Sequence, residues 1–237
     1  MNCKLFSYDH YEDTLKKAKK EYAIGSFREY ETISKNKRYI ILRHDIDFSV
    51  DHALRLAALE YRLGLTSTFF VLLHSSFYNP LTEDCRNKLL ALIQMGHEVG
   101  LHYDPRFPLV HNEVELLASY LNTEIKTIAR HNSFGIKIDV DKQEGLNNAY
   151  DPKFFREIKY ISDSSQYWRE GCMCRHVGVA DRMQILVHPE WWGQDTVSPE
   201  EILLSIRDAL KAELDRQSTV AIANLQSHRD KMFRGLV

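Results

Sequence analysis

The chain of 237 residues has few of the features that divide or anchor a protein. It has six prolines and ten glycines, no segment in which proline, glycine or serine accumulates, and no repeat of fixed period. We therefore predict a single domain. No apolar run approaches the roughly 18–20 residues of a membrane span, and no basic segment followed by an apolar one opens the chain. We expect a cytoplasmic protein without a transmembrane segment.

The sequence also has no large excess of positive or negative charge. The net charge is −2, so we expect neither a nucleic-acid partner nor binding to acidic membranes. The four cysteines, Cys3, Cys85, Cys172 and Cys174, do not form a disulfide framework, as is typical of a reducing compartment. Cys172-Met173-Cys174 lacks the second, distant pair of a structural zinc site, so we predict free thiols there. His10 belongs to no motif and is expected at the surface.

What the sequence does contain is an alternation of short apolar runs and amphipathic stretches. Six runs are predicted to be strands: RYIILRHD, TSTFFVLLH, HEVGLH, IKTIARH, KYISDSS and MQILVHP. Helices are predicted between successive members of the first four runs and over SPEEILLSIRDALKAELDRQ. The stretch TVAIANLQS is predicted to be a final strand. Alternating strands and helices imply an α/β fold around a parallel sheet.

Polar side chains stand where the predicted strands end, which is the edge at which such folds bind ligands. Asp45 and Asp47 share one face of the first strand, although Asp47 could instead cap the next helix. The other strands end with His74, His102, His131, Asp163 and His188. Carboxylate and imidazole suit a divalent transition metal, preferably zinc, and a water at such an ion is acidified toward a pKa of about 7. The pattern predicts metal-assisted hydrolysis, without identifying the bond.

Several segments together resemble the polysaccharide deacetylase superfamily (NodB-like, carbohydrate esterase family 4). HDIDFSVDHALRLAALEYRLGLTSTFFVLL and MGHEVGLHYD are similar to the branch that carries R-H-D-x-D in place of T-F-D-D-G. ARHNSFG, ISDSSQYW and ILVHPEWW resemble the R-x-P-x-G, Asp-x-x-x-Trp and L-x-x-H segments of the family, so the resemblance covers residues 38 to 192. It implies a single α/β domain with a distorted, TIM-like (β/α) barrel of about seven strands. We divide it into an N-terminal helical extension (1–37), a barrel core (38–217) and a C-terminal strand and tail (218–237).

The resemblance also implies roles for individual residues. Asp45 corresponds to the general base and Asp47 to a metal ligand. His102 corresponds to the first histidine of the metal-binding H-[S/T]-x-x-H pair. His188 corresponds to the histidine that protonates the leaving amine, and Arg130 to the arginine that supports the base.

One position departs from the family pattern. Arg106 stands where the second histidine of the pair is expected, and arginine stays charged and cannot ligate a metal. We predict that His131 replaces it, with His74 as the second choice and Asp104 as the third.

Further residues are predicted to contact the substrate: Tyr78, Asp163, Trp168, Trp191 and Trp192. Tyr78 could instead build a turn before Pro80, and Trp191 and Trp192 could belong to the core rather than stack on a sugar ring. Arg43 is either an ion-pair partner that lowers the pKa of Asp45 or a surface residue.

The resemblance implies a metal-dependent hydrolase that cleaves a C–N amide bond, by removing the N-acetyl group of an amino sugar or sugar conjugate. The predicted cytoplasmic location favours a precursor in surface-polysaccharide biosynthesis, such as O-antigen or capsule. Two alternatives remain open at this point. One is a hydrolase of a non-sugar amide or cyclic ureide, and the other is a catalytically degenerate glycan-binding protein, which Arg106 would explain.

Overall fold

The computed structural model describes residues 6–107, 109–131 and 144–234. The chain divides into two compact units, Met1–Val197 and Ser198–Val237. The first unit holds every described strand. It ends before residue 217, where the sequence analysis placed the end of the barrel core.

The strands form one sheet in which every ladder is parallel. The strands are β1 (Ala23–Gly25), β2 (Tyr39–Ile46), β3 (Thr68–Val71), β4 (Glu98–Tyr103), β5 (Thr127–Arg130), β6 (Asn147–Asn148), β7 (Lys159–Ser162) and β8 (Arg182–Val187). The order across the sheet is β6-β5-β4-β3-β2-β8-β7, and β1 pairs with β2. The predicted N-terminal helical extension therefore also contributes a strand to the sheet.

This order is that of a barrel opened on one side. Strands β2 to β6 are neighbours in chain order, and β8 returns to β2, pairing from Tyr39↔Arg182 to His44↔Val187. Among the described residues no ladder joins β6 to β7, so the sheet curls without closing there. The prediction of an α/β fold with a distorted, TIM-like barrel is confirmed.

The described residues of the first unit also form six α-helices. They are α1 (Tyr8–Ala18), α2 (Tyr30–Ile33), α3 (Val50–Arg62), α4 (Glu83–Gln94), α5 (Val110–Leu121) and α6 (Pro152–Phe155). Ser49 caps α3 by accepting a hydrogen bond from the backbone N–H of His52. The alternative that Asp47 caps this helix is therefore wrong.

The two faces of β2 bury different material. Ile46 lies in the apolar layer between sheet and helices, whereas Ile41 packs inside the barrel together with Phe70 of β3 and Ala129 of β5. Above this apolar floor the same inward face presents Arg43 and then Asp45. The inward-facing side chains of β2 are therefore apolar in the barrel interior and charged at its mouth, because every second residue of a strand points to the same face.

The second unit is the single helix α7 (Pro199–Arg234). Ser198 begins it with a capping box, in which its hydroxyl accepts from the N–H of Glu201 and the carboxylate of Glu201 accepts from the N–H of Ser198. The helix continues through TVAIANLQS, so the predicted C-terminal strand is wrong. No proline or glycine interrupts this stretch, and the helix therefore propagates. No helix among the described residues is long and apolar enough to cross a membrane.

Candidate metal centre and active site

Three side chains from separate strand ends converge at the mouth of the barrel. Asp47 follows β2, His102 lies near the end of β4 and His131 directly follows β5. Asp47 Oδ1 lies 3.3 Å from His102 Nε2 and 3.5 Å from His131 Nδ1, and the two nitrogens are 3.0 Å apart. Ligands about 2.0–2.1 Å from a tetrahedral zinc ion stand about 3.3–3.4 Å from one another. The triangle of ligand atoms therefore fits one such ion.

The surroundings of these atoms support a cation between them. His102 Nδ1 lies 2.9 Å from the carbonyl oxygen of Ala129, which leaves Nε2 to face Asp47. Asp47 Oδ1 is buried without a well-aligned hydrogen bond from the described residues. Burial would raise the pKa of Asp47, but the adjacent imidazoles of His102 and His131 hold it well below its usual range. The carboxylate is thus ionised and suited to a metal ion.

Asp45 lies one layer below this triangle and forms a buried ion pair. Arg43 donates from Nε to Asp45 Oδ1 at 2.8 Å and from Nη2 to Oδ2 at 2.7 Å. The Arg43 side chain is fully buried, so the alternative that it lies on the surface is wrong. Burial acts to raise the pKa of Asp45, but the charge of Arg43 lowers it. Asp45 Oδ2 lies 3.6 Å from His102 Nε2 and so borders the candidate metal position.

His188 lies on the opposite side of Asp47, directly after β8. Its Nδ1 is 2.7 Å from Asp163 Oδ1, which also accepts from the His188 backbone N–H. Its Nε2 lies 3.9 Å from Asp47 Oδ2. Burial acts to lower the pKa of His188, but the hydrogen bond and charge of Asp163 raise it to about 10. His188 is therefore a protonated imidazole that presents Nε2–H to the site.

The predicted substrate contacts are mostly buried in the structure. Asp163 is fully buried, and its second oxygen accepts from Trp192 Nε1 at 2.9 Å, so both oxygens are engaged by neighbouring side chains. The Tyr78 hydroxyl donates to the carbonyl oxygen of Ile46 and accepts from the N–H of Leu72, and thus joins the ends of β2 and β3. These bonds connect Tyr78 to the protein scaffold, and its contact with the substrate remains a prediction.

The three tryptophans are at most 9% exposed. Trp168 and Trp192 both pack against Phe6, and Trp191 lies 5.8 Å from Phe48 between ring centroids. Their burial agrees with the alternative that places them in the core. Sugar-stacking by these rings remains a prediction.

Arg106 forms an ion pair with Asp104 and is not part of the ligand triangle. Its side chain is 65% exposed and pairs with the carboxylate of Asp104, which accepts from both the backbone and the guanidinium of Arg106. His74 pairs instead with Glu113 at 3.0 Å and stacks on Phe107. Among the three candidates for the missing ligand, the structure brings His131 to Asp47 and His102. Arg130 is buried at the end of β5, and its support of the base remains a prediction.

Glu190 was missed by the sequence analysis. It lies two residues after His188 in a short 3₁₀ helix, is 1% exposed, and neither carboxylate oxygen has a hydrogen-bond partner among the described residues. Burial and the charge of Asp47 raise its pKa well above the usual range. The HPEWW stretch does not indicate that Glu190 is buried, because no sequence pattern marks a buried carboxyl group without a hydrogen-bond partner.

Comparison with known proteins gives similarity to solved structures only. No family model and no curated protein matches the chain. It is similar to a family 4 carbohydrate esterase from Bacillus anthracis (17% identity, 86% of each chain, TM-score 0.42) and to the peptidoglycan deacetylase PdaC from Bacillus subtilis (16%, 77% of this chain and 98% of that one, 0.40). It is also similar to a CE4 family pseudoenzyme from Bacillus anthracis (11%, 0.43), of which it spans 62% while 75% of this chain is covered. All these TM-scores lie below 0.5, so the function proposed below rests on the site.

Proposed function

We propose that the protein is a metal-dependent hydrolase that removes an N-acetyl group from an amino sugar or a sugar conjugate. The observation that carries the proposal is the convergence of ligand atoms from Asp47, His102 and His131 between an ionised carboxylate, Asp45, and a protonated imidazole, His188. Amide hydrolysis needs these two groups, because one proton must leave the attacking water and another must reach the leaving amine.

The donor set of one carboxylate and two imidazoles fits zinc best. Asp47, His102 and His131 would hold the ion. When bound, it would polarise the acetyl carbonyl group and acidify a water molecule. Arg106, which departs from the family pattern, is no obstacle to this ligand set because His131 supplies the third donor atom.

Asp45 is the proposed general base. The two parallel hydrogen bonds from Arg43 fix the orientation of the carboxylate, and the charge of the guanidinium keeps it ionised. Asp45 therefore reaches the mouth in the form that accepts a proton. It takes that proton from the water that attacks the acetyl carbon.

His188 is the proposed general acid. Asp163 accepts a hydrogen bond from Nδ1–H and so directs Nε2–H toward Asp47 and the mouth. Because the pKa of His188 is raised to about 10, the ring carries its proton at neutral pH. It gives this proton to the amide nitrogen as the C–N bond breaks, and the products are acetate and a free amino sugar.

The acetylated sugar is proposed to be a precursor of a surface polysaccharide such as O-antigen or capsule, handled in the cytoplasm. The expected cytoplasmic location is what favours this substrate class. A nucleotide-linked or lipid-linked N-acetyl sugar is the form that such a biosynthetic step would use.

The test is release of acetate by the zinc-loaded protein from free and nucleotide-linked N-acetylhexosamines, with cyclic ureides assayed in parallel. We expect acetate from the sugars, and we expect D47A and H131A to lose the active-site metal ion and the activity. H74A is the matched control, because His74 is a histidine at the same rim that pairs with Glu113 instead.

Three outcomes would contradict the proposal. Opening of a ureide without sugar deacetylation would indicate the non-sugar amide reaction. Absence of stoichiometric metal, with D47A binding metal no worse than the unmodified chain, would remove the hydrolase mechanism and leave glycan binding. Equal metal loss in H74A and H131A would show that His131 has no special role.

A further inference from the structure

A second group of metal-binding side chains lies outside the active site. His10, Cys172 and Cys174 place their donor atoms within 4.8 Å of one another. His10 Nε2 lies 3.1 Å from Cys172 Sγ, although the two residues are 162 positions apart in the sequence. From the sequence alone, His10 is expected at the surface and the two cysteines as thiols without a metal, because no local pattern relates His10 to this loop.

The fold holds the two halves of this group in place. His10 lies in the first turn of α1, which is attached to the segment after β8 because Tyr8 N–H donates to the carbonyl oxygen of Gly193 at 2.7 Å. Cys172 and Cys174 belong to a 3₁₀ turn in the segment between β7 and β8, and neither cysteine forms a disulfide. The donors are thus presented by two separately anchored backbone segments.

The chemistry of the donors selects the class of ion. Two thiolates and one imidazole favour zinc over magnesium or calcium, and with these three protein ligands the fourth tetrahedral position of the ion would be open to water. Cys172 is 2% exposed, whereas His10 and Cys174 are partly exposed. The group is therefore mostly enclosed by protein but open to an ion from solvent.

We propose that His10, Cys172 and Cys174 form a zinc site that fastens α1 to the segment between β7 and β8. This site is independent of the proposed hydrolase activity, since it shares no ligand with Asp47, His102 and His131. Zinc bound only by the folded chain stabilises the fold by mass action.

The position of His10 gives the site a structural consequence. Its ring stacks on Trp192, with centroids 6.4 Å apart and planes 5° from parallel. Trp192 in turn donates to Asp163, which orients His188. An ion at His10 would therefore stabilise the wall against which the candidate general acid is held.

The test uses cobalt(II) as a probe in the full-length chain after treatment with a chelator. Thiolate ligands give cobalt a charge-transfer absorption in the near ultraviolet, whereas nitrogen and oxygen ligands do not. The active site has no sulfur ligand, so the band reports the second site alone. We expect the band in the unmodified chain and in D47A, which loses only the active-site ion. This readout separates failure of the second site from failure of the proposed function.

Substitutions then assign the ligands. We expect C174S and the double variant C172S/C174S to lose the band, and H10A to bind cobalt at least about tenfold more weakly. C85S is the matched control, because Cys85 is a buried cysteine of α4 outside the group. Substitution of Cys172 also has a packing cost, so the partly exposed Cys174 provides the cleaner variant, with folding checked by circular dichroism.

Two results would overturn the proposal. One is absence of a thiolate-to-cobalt band in the unmodified chain at excess cobalt. The other is a band that persists in C172S/C174S, which would place the sulfur ligand elsewhere.

Discussion

At the scale of single residues, the pair of Arg43 and Asp45 shows how burial determines which partner a charged side chain has. The spacing of two residues placed both on one face of β2, but the sequence left Arg43 equally compatible with the surface. The barrel interior removes water from both groups and leaves them to one another. A buried pair of this kind is costly to break, because the remaining charge is left without a partner.

We predict that D45N lowers the rate of acetate release by at least about 100-fold while the metal content is unchanged, since only the proton acceptor is lost. It should also lower the free energy of unfolding by about 3 kcal/mol, because Arg43 loses its charged partner. Activity, elemental analysis and chemical denaturation measure the three quantities. The double variant R43M/D45N should recover much of the stability without activity. Retained turnover in D45N would remove Asp45 from the role of base.

Two buried glutamates have pKa values shifted in opposite directions. Glu60 accepts hydrogen bonds from Tyr11 and Ser67 and lies 2.8 Å from His44 Nε2. Burial acts to raise its pKa, but His44, His97 and the hydrogen bond from Ser67 lower it from 4.5 to about 2. Glu190 has no such partner among the described residues, and its pKa is raised. The environment of Glu60 therefore favours the carboxylate, whereas burial and the charge of Asp47 favour the neutral form of Glu190.

Glutamine mimics the neutral acid, so E190Q should keep the free energy of unfolding within about 1 kcal/mol at pH 7, whereas E60Q should lose about 3 kcal/mol. A depressed pKa stabilises the folded chain above pH 4.5, and this contribution is lost as the pH falls toward about 2. The deficit of E60Q should therefore shrink below pH 4.5. Denaturation of chelator-treated protein between pH 7 and pH 3 measures it. An equal loss in both variants would contradict the opposite shifts.

At the scale of secondary-structure elements, the central strand β4 depends on the absence of a side chain at one position. Gly100 pairs with Phe70 of β3, and β5 flanks its other edge. A Cβ atom at Gly100 would lie 2.6 Å from the ring of Phe70 and 2.7 Å from the carbonyl oxygen of Thr127. Neither neighbour can move far, because one belongs to the barrel interior and the other to the backbone of a paired strand.

We predict that G100A lowers the free energy of unfolding by about 3 kcal/mol, as expected for overpacking in a core. G178A is the control for backbone conformation. Gly178 has a φ of +87° with no atom within 4 Å of the added Cβ, so its substitution should cost only about 1 kcal/mol. Thermal unfolding of the two variants compares the loss of stability caused by a steric clash at Gly100 with that caused by an unfavourable backbone conformation at Gly178. A cost for G100A no greater than that of G178A would contradict this assignment.

Long elements were predicted better than short ones. The helices α3 and α4 have full turns, side-chain caps at Ser49 and Thr82, and glycines with positive φ just beyond their ends. Strand β1, strand β6 and the short helices α2 and α6 span two to four residues, too few for periodicity to appear. The strand error in α7 has another cause, since the apolar residues Val220 and Ile222 alternate like a strand but lie within an unbroken helix.

At the scale of the whole molecule, the two units are expected to respond independently to truncation. The described side chains of α7 beyond residue 217 are exposed. We predict that a chain ending at Gln217 keeps its unfolding midpoint and metal content within error and loses only helical signal, because every described side chain that is removed, from residue 218 to residue 232, is exposed. Calorimetry, elemental analysis and far-ultraviolet circular dichroism check these points. A lower midpoint would show that the end of α7 contributes to the stability of the first unit.

The barrel order explains why the candidate site could be predicted in outline. Parallel strands that follow one another around a curled sheet bring their carboxyl ends to one mouth, so polar residues at strand ends become neighbours. The position of a residue at a strand end was enough to predict one shared site, without any measured distance, for five residues: Asp45, Asp47, His102, His131 and His188. It could not assign Asp163 or Trp192, because a residue near the mouth can equally face the substrate or lie in the layer behind it.

The sequence by itself determined the α/β alternation, the helix caps and the set of strand-end residues, because periodicity and capping act over a few neighbouring positions. Only the tertiary structure decided which partners those residues have. It put Arg43 against Asp45, Asp163 behind His188 and His131 beside His102, and it paired Arg106 with Asp104. It also brought His10 to Cys172 across 162 positions. Such contacts depend on how the sheet curls, and no local sequence pattern encodes which distant residues the curled sheet brings together.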